Sequence, residues 1–257
     1  MPDVLKGLLV LILLFVPMER FLVLHGQKVL RQGWLTDLFY YFSGYFIGKG
    51  TLQILLLATL LSQQFSPDLS RFVTSQPIWL QFVEAVAIAE LGYYFAHRLL
   101  HTIPFLWKFH AIHHSSTNID WLATVKVHPF DQIFTKTFQI IPLYVLGFSI
   151  ETLAVYALFS SSIAFFIHAN LRVRLPILRW IVMTPELHHW HHSDRPQFYG
   201  KNLAAQLPIF DWLFGTLYMP DRSTTQDPPS RYGIPESIPN NYLQQFIYPF
   251  LPKKLKD

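Results

Sequence analysis

Three short histidine motifs decide how this sequence folds: His97-Arg98-Leu99-Leu100-His101, His110-Ala111-Ile112-His113-His114 and His188-His189-Trp190-His191-His192. Of the twelve histidines in the chain, only His25 lies outside residues 97–192. Such clustering is not typical of scattered core or surface histidines. Neutral imidazole is the commonest protein ligand for iron, zinc and copper, so the motifs indicate a metal centre.

The spacing within each motif matches one face of an α-helix. A helix turns about 100° per residue, so positions i, i+3 and i+4 lie on the same side. His97 and His101 have the i, i+4 spacing, and each of the other two motifs contains the i, i+3, i+4 spacing. The motifs therefore supply eight imidazoles that can converge. One ion takes about four to six ligands, so two metal ions are the simplest solution. The alternative, pH-sensing or solvated histidines, needs no repeated helical spacing.

The pattern HxxxH, HxxHH, HxxHH resembles that of the fatty acid hydroxylase/sterol desaturase superfamily of membrane-bound di-iron enzymes. Short neighbouring segments are also similar to that superfamily. They are Trp107-Lys108-Phe109-His110, His128-Pro129, His168-Ala169-Asn170, Thr184-Pro185-Glu186 and Asp211-Trp212-Leu213-Phe214-Gly215-Thr216. The resemblance covers about residues 78–219. One departure is Phe198-Tyr199-Gly200, where the family often has Asn-Tyr-Gly.

The composition indicates a lipid environment. Hydrophobic residues make up 51% of the 257 residues and charged residues only 14%, against about 25% charged in average soluble domains. The 16% aromatic content agrees, because Trp and Tyr favour membrane interfaces. A net charge of +4 without a run of Lys or Arg gives no sign of nucleic-acid binding. There is no cysteine, which excludes disulfides, thiolate nucleophiles and iron–sulfur clusters and leaves nitrogen and oxygen as metal ligands.

Four apolar segments approach or exceed the roughly 20 residues that a spanning helix requires. They are residues 4–24, a stretch within residues 34–61, residues 78–94 and residues 133–167. No small-residue cleavage site follows the first, so we interpret it as a retained helix and not as a signal peptide. The last is about twice too long for one span. Pro142 and Gly147-Phe148-Ser149 predict a break there, and hence a helical hairpin.

The connecting segments predict how the motifs are delivered. The third span continues into His97 and His101, so it carries the first motif at its membrane exit. Residues 110–118 are predicted to form a second, less apolar helix, and residues 62–76 a loop with Pro67 and Pro77 as breakers. Lys49 interrupts the second span, which predicts a kink, or a side chain that snorkels or lines a polar cavity.

The positive-inside rule predicts the orientation. Basic residues follow the first span, the third span and the hairpin, all on one side if the chain crosses alternately: Lys28, Arg31, Arg98, Lys108, Arg172, Arg174 and Arg179. We therefore predict an all-α integral membrane protein with about four transmembrane helices, including the hairpin, and a cytoplasmic helical cap that carries a histidine-rich dimetal site. The predicted division is N-terminal transmembrane helices (1–76), a histidine-box di-iron hydroxylase/desaturase domain (77–219) and a polar C-terminal tail (220–257).

The predicted metal ligands are the eight phased histidines of the motifs together with one histidine at the exit of the hairpin. They are His97, His101, His110, His113, His114, His168, His188, His191 and His192. His128, Glu90 and Asn170 are candidates either for a ligand or for an acceptor that bonds to the second ring nitrogen of a ligand. Alternative acceptors are Asp120, Asp131, Glu186 and Asp194. His189 lies about 100° from His188 on a helix, off the ligand face.

The resemblance implies a chemistry. It implies two iron ions, with zinc able to substitute, and O2 as co-substrate for hydroxylation of a fatty acid, sterol or related lipid. Desaturation within the same superfamily is the alternative. Electrons would come from a separate donor of the cytochrome b5, ferredoxin or flavin reductase type, because the chain has no dinucleotide-binding glycine fingerprint. Rivals from other classes are a histidine-rich metal transporter or sensor, which should place ligands at mid-membrane, and a one-zinc hydrolase, which needs only three protein ligands.

Overall fold

The chain consists of helices joined by loops in a computed structural model that describes residues 2–62, 67–221 and 228–251. Within these ranges there is no β-strand, only isolated backbone bridges. The α-helices of the described residues are α1 (Asp3–Phe21), α2 (Trp34–Ser62), α3 (Pro67–Thr74), α4 (Ile78–Thr102), α5 (Pro104–His114), α6 (Pro129–Leu146), α7 (Ile150–His168), α8 (Pro185–His191), α9 (Ile209–Leu213) and α10 (Tyr242–Ile247). The all-α prediction is confirmed for this part of the chain.

Helices α4 and α5 carry the first two motifs. α4 follows Pro77 and runs for 25 residues, as the continuation of the third span into the first motif predicted. Pro104 begins α5, at a position where the missing N–H of proline costs no hydrogen bond. α5 ends at His114, so the predicted helical range 110–118 was wrong at its end. Ser115 Oγ donates to the Ile112 carbonyl oxygen at 2.7 Å, and the polar run that follows competes for backbone hydrogen bonds.

The predicted hairpin is formed by α6 and α7. α6 ends at Leu146, and Gly147 follows with a φ of 77°, in the left-handed region that glycine adopts without steric cost. A Cβ atom on Gly147 would lie 2.5 Å from Ser70 Oγ of α3, so the turn is closely packed as well. Ser149 then begins α7 by accepting a hydrogen bond from the Thr152 N–H. Pro142, expected to contribute to the break, lies inside α6.

The segment between the second and third spans is not a simple loop. Pro67 begins the eight-residue helix α3, which corrects the loop predicted for residues 62–76; of these, residues 63–66 lie outside the described residues. Proline breaks a helix in its interior but is favourable in the first turn, which explains the difference. α2 continues past Lys49, whose side chain is exposed.

Helices α4 and α6 pack side by side and position the first motif. A Cβ atom on Gly92 of α4 would overlap the Phe138 carbonyl oxygen of α6, so the two backbones are in direct contact. Ala85 and Ala89, one turn apart on α4, are fully buried in a cluster with Leu143 of α6. Small residues on one helix face thus bring α4 close to α6, and the first turn of α6 lies beside the histidine region.

Buried polar contacts attach the N-terminal helices to the histidine region. The Arg31 guanidinium donates two hydrogen bonds of 2.7 Å to the Asp120 carboxylate and a third of 2.7 Å to Asp37. All three side chains are buried. Glu19 of α1 accepts a hydrogen bond from the Trp121 N–H at 2.8 Å. A buried ion pair is costly to break, so these contacts fix the N-terminal segment against residues 120–121.

Two helices of the described residues, α4 and α7, are long and apolar enough to cross a membrane, judged by length and composition. Large apolar side chains are also exposed on the other long helices, for example Leu13 on α1, Phe46 on α2 and Val145 on α6. The apolar exterior agrees with a lipid environment. The expectation of about four spans stays a prediction for the helices other than α4 and α7.

Candidate metal centre

The three histidine motifs lie at helix ends that meet at one place. His97 and His101 lie one turn apart near the C-terminal end of α4, and the second motif ends α5. Pro185 begins α8, which carries the third motif and ends at His191, with His192 as the residue that follows it. His168 is the last residue of α7. Four helices therefore contribute histidines to a single region.

Nine imidazoles gather there into two groups, and in each group one ring nitrogen from every member lies within 4.8 Å of the others. The five-histidine cluster consists of His97, His101, His110, His114 and His191. The four-histidine cluster consists of His113, His168, His188 and His192. These are the nine residues predicted as ligands from the sequence, and the structure brings all of them together.

Neighbours in the sequence are divided between the two clusters. His113 belongs to the four-histidine cluster and His114 to the five-histidine cluster. Successive helical residues point about 100° apart, so an adjacent pair on a helix between two sites can serve both. The rings of His114 and His192 nevertheless stack with centroids 4.4 Å apart across the boundary. The two clusters therefore adjoin each other and form one centre.

The inner face of the five-histidine cluster is made of Nε2 atoms. His97 Nε2 lies 2.9 Å from His110 Nε2 and 3.2 Å from His101 Nε2. On the outer side, His97 Nδ1 lies 2.6 Å from the Leu203 carbonyl oxygen and His191 Nδ1 lies 2.8 Å from the Lys201 carbonyl oxygen. A carbonyl oxygen only accepts, so Nδ1 carries the proton in both rings and Nε2 presents its lone pair inward.

His110 has a carboxylate on its outer side. Its Nδ1 donates to Asp131 Oδ2 at 2.7 Å, and both side chains are buried. Asp131 lies in the first turn of α6, so the packing of α6 on α4 also places this acceptor. A carboxylate behind a ligating imidazole fixes the ring and raises its basicity. Asp131 is one of the acceptors considered from the sequence, and it contacts an imidazole of the five-histidine cluster.

The four-histidine cluster has the same construction. His168 Nε2 lies 3.1 Å from His113 Nε2 and 3.0 Å from His188 Nε2. His113 Nδ1 donates to the Lys126 carbonyl oxygen at 3.3 Å, and His168 Nδ1 to the Ala164 carbonyl oxygen of its own helix at 2.8 Å. Backbone oxygens therefore orient two of its four rings in the way that suits metal ligation.

Two buried carboxylates hold the loop that supplies the Leu203 carbonyl oxygen. Asp211 accepts from the Leu203 N–H at 2.7 Å and from the Ala204 N–H at 2.9 Å. Glu90 accepts from the Ala205 N–H at 2.6 Å and from the next N–H at 3.0 Å. Glu90 was a candidate from the sequence for direct contact with the metal centre. In the structure it bonds to the loop whose Leu203 carbonyl oxygen contacts His97, and so it reaches the centre only through that loop.

Burial keeps the imidazoles neutral. Burial is the largest cause that lowers the pKa of six motif histidines, on α5, on α8 and directly after α8, well below the ordinary value. Repulsion by neighbouring imidazoles lowers the pKa further. These residues are His110, His113, His114, His188, His191 and His192. Only the neutral form of histidine binds a metal ion. The environment therefore favours the ligand form of these side chains at neutral pH.

The donor set fits metal ions that accept nitrogen ligands. His191 Nε2 is buried and has no hydrogen-bond partner among the described residues, while its Nδ1 is bonded to Lys201. A buried nitrogen lone pair that accepts no hydrogen bond costs folding free energy unless a metal ion binds to it. Both clusters consist of imidazoles alone. Imidazole suits iron, zinc and copper, and disfavours magnesium and calcium.

Three other candidates and His189 lie outside both clusters. His128 accepts from the Phe130 N–H through Nδ1 at the start of α6, and its Nε2 bonds to a carbonyl oxygen. Asn170 exchanges two hydrogen bonds with the backbone of His25. His189 Nδ1 lies 2.7 Å from the Tyr232 hydroxyl oxygen. The helical phase that separated His189 from the other histidines of its motif agrees with this position.

One segment that contacts the residues of the centre was not predicted from the sequence. The chain around Tyr232, within the predicted polar tail, pairs with the residues after the third motif: the Gly233 N–H donates to the His192 carbonyl oxygen at 3.3 Å. The Tyr232 hydroxyl is also 3.0 Å from His25 Nε2. Residues 222–227 and 252–257 of the same predicted tail lie outside the described residues. Backbone pairing of this kind cannot be predicted from residue types, because it joins main-chain atoms that every residue has.

A cavity of about 480 Å³ opens beside the five-histidine cluster. Its wall includes His101, His114 and His191, and none of the four-histidine cluster. Trp107 and Leu203 add apolar surface to the wall. The volume lies within the range of about 300–1,000 Å³ that small-molecule sites occupy. A substrate in this cavity would touch the five-histidine cluster directly.

The fold and the site together define a class of protein: an all-helical chain whose buried polyhistidine centre lies at the ends of apolar helices. The chain belongs to the fatty acid hydroxylase family, whose model matches residues 82–216. The resemblance drawn from the three motifs is thereby confirmed. No solved structure matches the chain.

Relatives with assigned names fall in the same superfamily. The chain is 35% identical over 181 residues to the ornithine lipid hydroxylase OlsE of Rhizobium tropici, covering 70% of this chain and 54% of that protein. It is 34% identical to the alkylglycerol monooxygenase of Xenopus tropicalis over 56% of this chain and 31% of the relative. A putative Delta(7)-sterol-C5(6)-desaturase 2 of Arabidopsis thaliana is 28% identical over 52% of this chain and 47% of the relative. The chain thus spans about half the length of the first and third of these relatives and a third of the second.

Proposed function

We propose that this protein is a membrane-bound di-iron oxidoreductase that uses O2 to hydroxylate a lipid. The observation that carries the proposal is the pair of adjoining clusters, of five and four neutral imidazoles, beside a cavity large enough for a small molecule. Membership of the fatty acid hydroxylase family supports it, as do relatives named as a lipid hydroxylase and a monooxygenase.

The nine clustered histidines are the proposed ligands, with one iron ion in each cluster. Iron held there would supply the activation of O2 and the removal of hydrogen from an unactivated C–H bond. The overall reaction consumes one lipid, one O2, two electrons and two protons and yields a hydroxylated lipid and water. Zinc can occupy the same imidazoles, so finding zinc in a purified sample would not identify the working metal.

The protein's own residues bind and orient the reactants. The carbonyl oxygens of Lys201 and Leu203 hold His191 and His97 in a fixed tautomer, so the ligand geometry is set before a metal binds. Burial excludes water from the four-histidine cluster, while the cavity admits the substrate on the five-histidine side. Fixed geometry and exclusion of water are what a protein contributes when a cofactor performs the difficult step.

The second candidate is a desaturase, which one observation favours: the similarity to a putative sterol desaturase. Hydroxylation and desaturation begin with the same hydrogen abstraction and differ in the fate of the carbon radical. The transporter or sensor alternative is disfavoured, because the histidines lie at helix ends and in the following loops, and a transporter binds its ion at mid-membrane on discontinuous helices.

The proposed setting is a multi-pass membrane protein with its metal centre on the cytoplasmic face. The apolar helices α4 and α7 and the basic residues after the predicted spans support it. The substrate would approach from the bilayer, and a separate cytochrome b5, ferredoxin or flavin reductase would supply electrons. A reporter fused at Asp257, which lies outside the described residues, is expected to report a cytoplasmic position. An external position would contradict this topology.

The test is expression in a host with a compatible reductase, with lipid profiles compared under 18O-labelled O2. A lipid that gains one labelled oxygen supports hydroxylation, and an unsaturated lipid without label assigns desaturation. The matched control is His110→Ala, which removes a proposed ligand and should give neither product. Unchanged lipids with several electron donors, in protein shown to hold two irons, would contradict an enzymatic role.

A further inference from the structure

Arg98 is the only Lys, Arg, Asp or Glu side chain among the described residues that line the cavity. It lies on α4 three residues before His101, which also lines the cavity and belongs to the five-histidine cluster. Residues three apart share a helix face. A molecule in the cavity would therefore meet a cation and the proposed metal site within about one turn of the same helix, roughly 5 Å.

The guanidinium is held in place without a carboxylate. Its Nη1 donates to the Tyr94 hydroxyl at 3.2 Å and to the Phe214 carbonyl oxygen at 3.5 Å. In the part of the chain that the structure describes, no salt bridge joins Arg98 to an Asp or Glu. A guanidinium has five N–H donors in a fork that matches carboxylate and phosphate, so donors remain for a ligand.

The support behind Arg98 is a buried hydrogen-bond network. Tyr94 is fully buried, and its hydroxyl lies 2.8 Å from Thr216 Oγ1. Thr216 Oγ1 in turn donates to Asp211 Oδ1 at 2.6 Å. Asp211 is the carboxylate that also holds the Leu203 N–H. Arg98 is therefore linked through the Tyr94 hydroxyl to the same network that holds the Leu203 segment behind His97.

The rest of the lining suits the remainder of an amphiphile. Trp107, Leu203 and Ile234 present apolar surface, and the Ser193 hydroxyl, which accepts from the Arg195 N–H, can donate beside a negative group. With no acidic side chain among these lining residues, nothing in the wall opposes an anion. One cation, one hydroxyl donor and apolar walls match a ligand with a single anionic end and an apolar chain.

We propose that the cavity binds the anionic end of the lipid substrate, a phosphate or carboxylate group, and that Arg98 selects it. The proposal rests on the proposed function in taking the substrate to be a lipid, and adds the charge of the group recognised. Arg98 is a specificity-determining residue in this scheme: it holds the polar end of the molecule beside the five-histidine cluster and takes no part in the oxidation.

The test measures binding in the absence of turnover. The purified full chain, in neutral detergent and without reductant, is titrated with oleyl phosphate, oleate and oleyl alcohol, which share one chain and differ in the polar end. We expect the two anionic probes to bind about tenfold more tightly than the alcohol, the effect of a hydrogen bond to a charged group. Equal binding of all three by the wild-type protein would overturn the proposal without any variant.

Variants separate the role of Arg98 from general attraction to a basic surface. Arg98→Gln should abolish the preference for the anionic probes and leave alcohol binding unchanged. Arg98→Lys should keep part of the preference, because it retains the charge and loses the fork. Arg174→Gln removes an exposed arginine outside this cavity and should behave as the wild type.

Two variant results would contradict the proposal. If Arg174→Gln reduces the preference for the anionic probes as much as Arg98→Gln does, the preference arises from the net charge of the protein surface. If Arg98→Gln also binds the alcohol more weakly, Arg98 acts through packing and not through its charge. The test is also independent of the proposed chemistry. A protein with no preference that still hydroxylates a lipid refutes only the role of Arg98, and a protein with the preference that oxidises nothing refutes only the hydroxylase.

Discussion

His191 and His192 are consecutive residues, yet their imidazoles belong to different clusters. The His191 ring centroid lies 4.7 Å from that of His97, and His192 Nε2 lies 3.1 Å from His188 Nε2. α8 ends between them, so the end of one short helix connects the two halves of the centre. The end of this helix therefore contributes one imidazole to each of two adjoining clusters.

The first prediction concerns metal content. Protein reconstituted with iron should hold two metal ions per chain. His192→Ala leaves three imidazoles in its cluster, whereas His191→Ala leaves four in the other, so His192→Ala should lose one ion more readily. Elemental analysis after dialysis against a weak chelator measures the difference. Wild-type protein that never exceeds one ion per chain would refute the dinuclear centre.

The second prediction concerns His189. His189→Ala should keep both metal ions, because the ring bonds to the Tyr232 hydroxyl and to the His168 carbonyl oxygen and belongs to neither cluster. It should destabilise the protein by about 1–3 kcal/mol through the loss of buried hydrogen bonds. His188→Ala, its neighbour, is the matched control and should lose metal. If both variants lose metal equally, the assignment from helical phase fails.

The third prediction concerns the carboxylate behind His110. Asp131→Ala should weaken metal binding by about 10- to 100-fold, because the His110 ring loses the acceptor that fixes its tautomer. Asp131→Asn keeps an acceptor without charge and should have a smaller effect. Competition with a chromogenic chelator gives the affinities. Asp68→Ala, at an exposed carboxylate in α3, serves as control, and an equal effect there would exclude a specific role for Asp131.

The fourth prediction tests the contact between α4 and α6. Gly92→Ala should destabilise the protein by about 1–3 kcal/mol, since the added methyl group overlaps the Phe138 carbonyl oxygen and pushes the helices apart. Gly50→Ala is the control, because a Cβ atom there would meet nothing within 4 Å. Thermal unfolding in detergent compares the two. Equal stability of both variants would mean that the helices are not in backbone contact.

The fifth prediction concerns pH. Burial lowers the pKa of the motif histidines on α5 and α8, for example His114 and His188, below the ordinary value of 6.5. The unfolded chain therefore takes up protons below about pH 6.5 that the folded chain does not, and the stability present above that pH is lost as pH falls. The melting temperature of metal-free protein should drop between pH 7 and pH 5. A constant melting temperature over this range would contradict buried, neutral imidazoles.

The sequence predicted the parts of the fold that depend on residue type and period. An apolar run that leads directly into His97 and His101 predicted α4 and the two imidazoles near its C-terminal end. Gly147 marked the turn of the hairpin. The helical spacing within the motifs identified eight of the nine histidines that gather, because a helix face is fixed by spacing alone. His168 was identified by its position at the exit of the hairpin. His189 was separated from its neighbours by the same reasoning.

What the sequence did not predict depends on the path of the backbone. The acceptors for His191, His97 and His113 are carbonyl oxygens, and every residue has one, so nothing in the sequence marks those that matter. Glu90 was placed close to the metal because it shares a helix face with His97. In the structure its carboxylate bonds to backbone N–H groups of the loop after Leu203. The bonds of His97 to Leu203 and of Glu90 to Ala205 join residues more than a hundred positions apart.

These long separations have a consequence for how the protein is made. His97 is oriented by the Leu203 carbonyl oxygen, 106 residues later in the chain, and its cluster also needs His191. A ribosome delivers the first two motifs well before these partners, so a partial set of imidazoles exists during synthesis. Such a set binds zinc or copper at least as readily as iron. Loading of the proposed iron ions would therefore follow translation of the region through Leu203, and would depend on which metals the cell supplies at that moment.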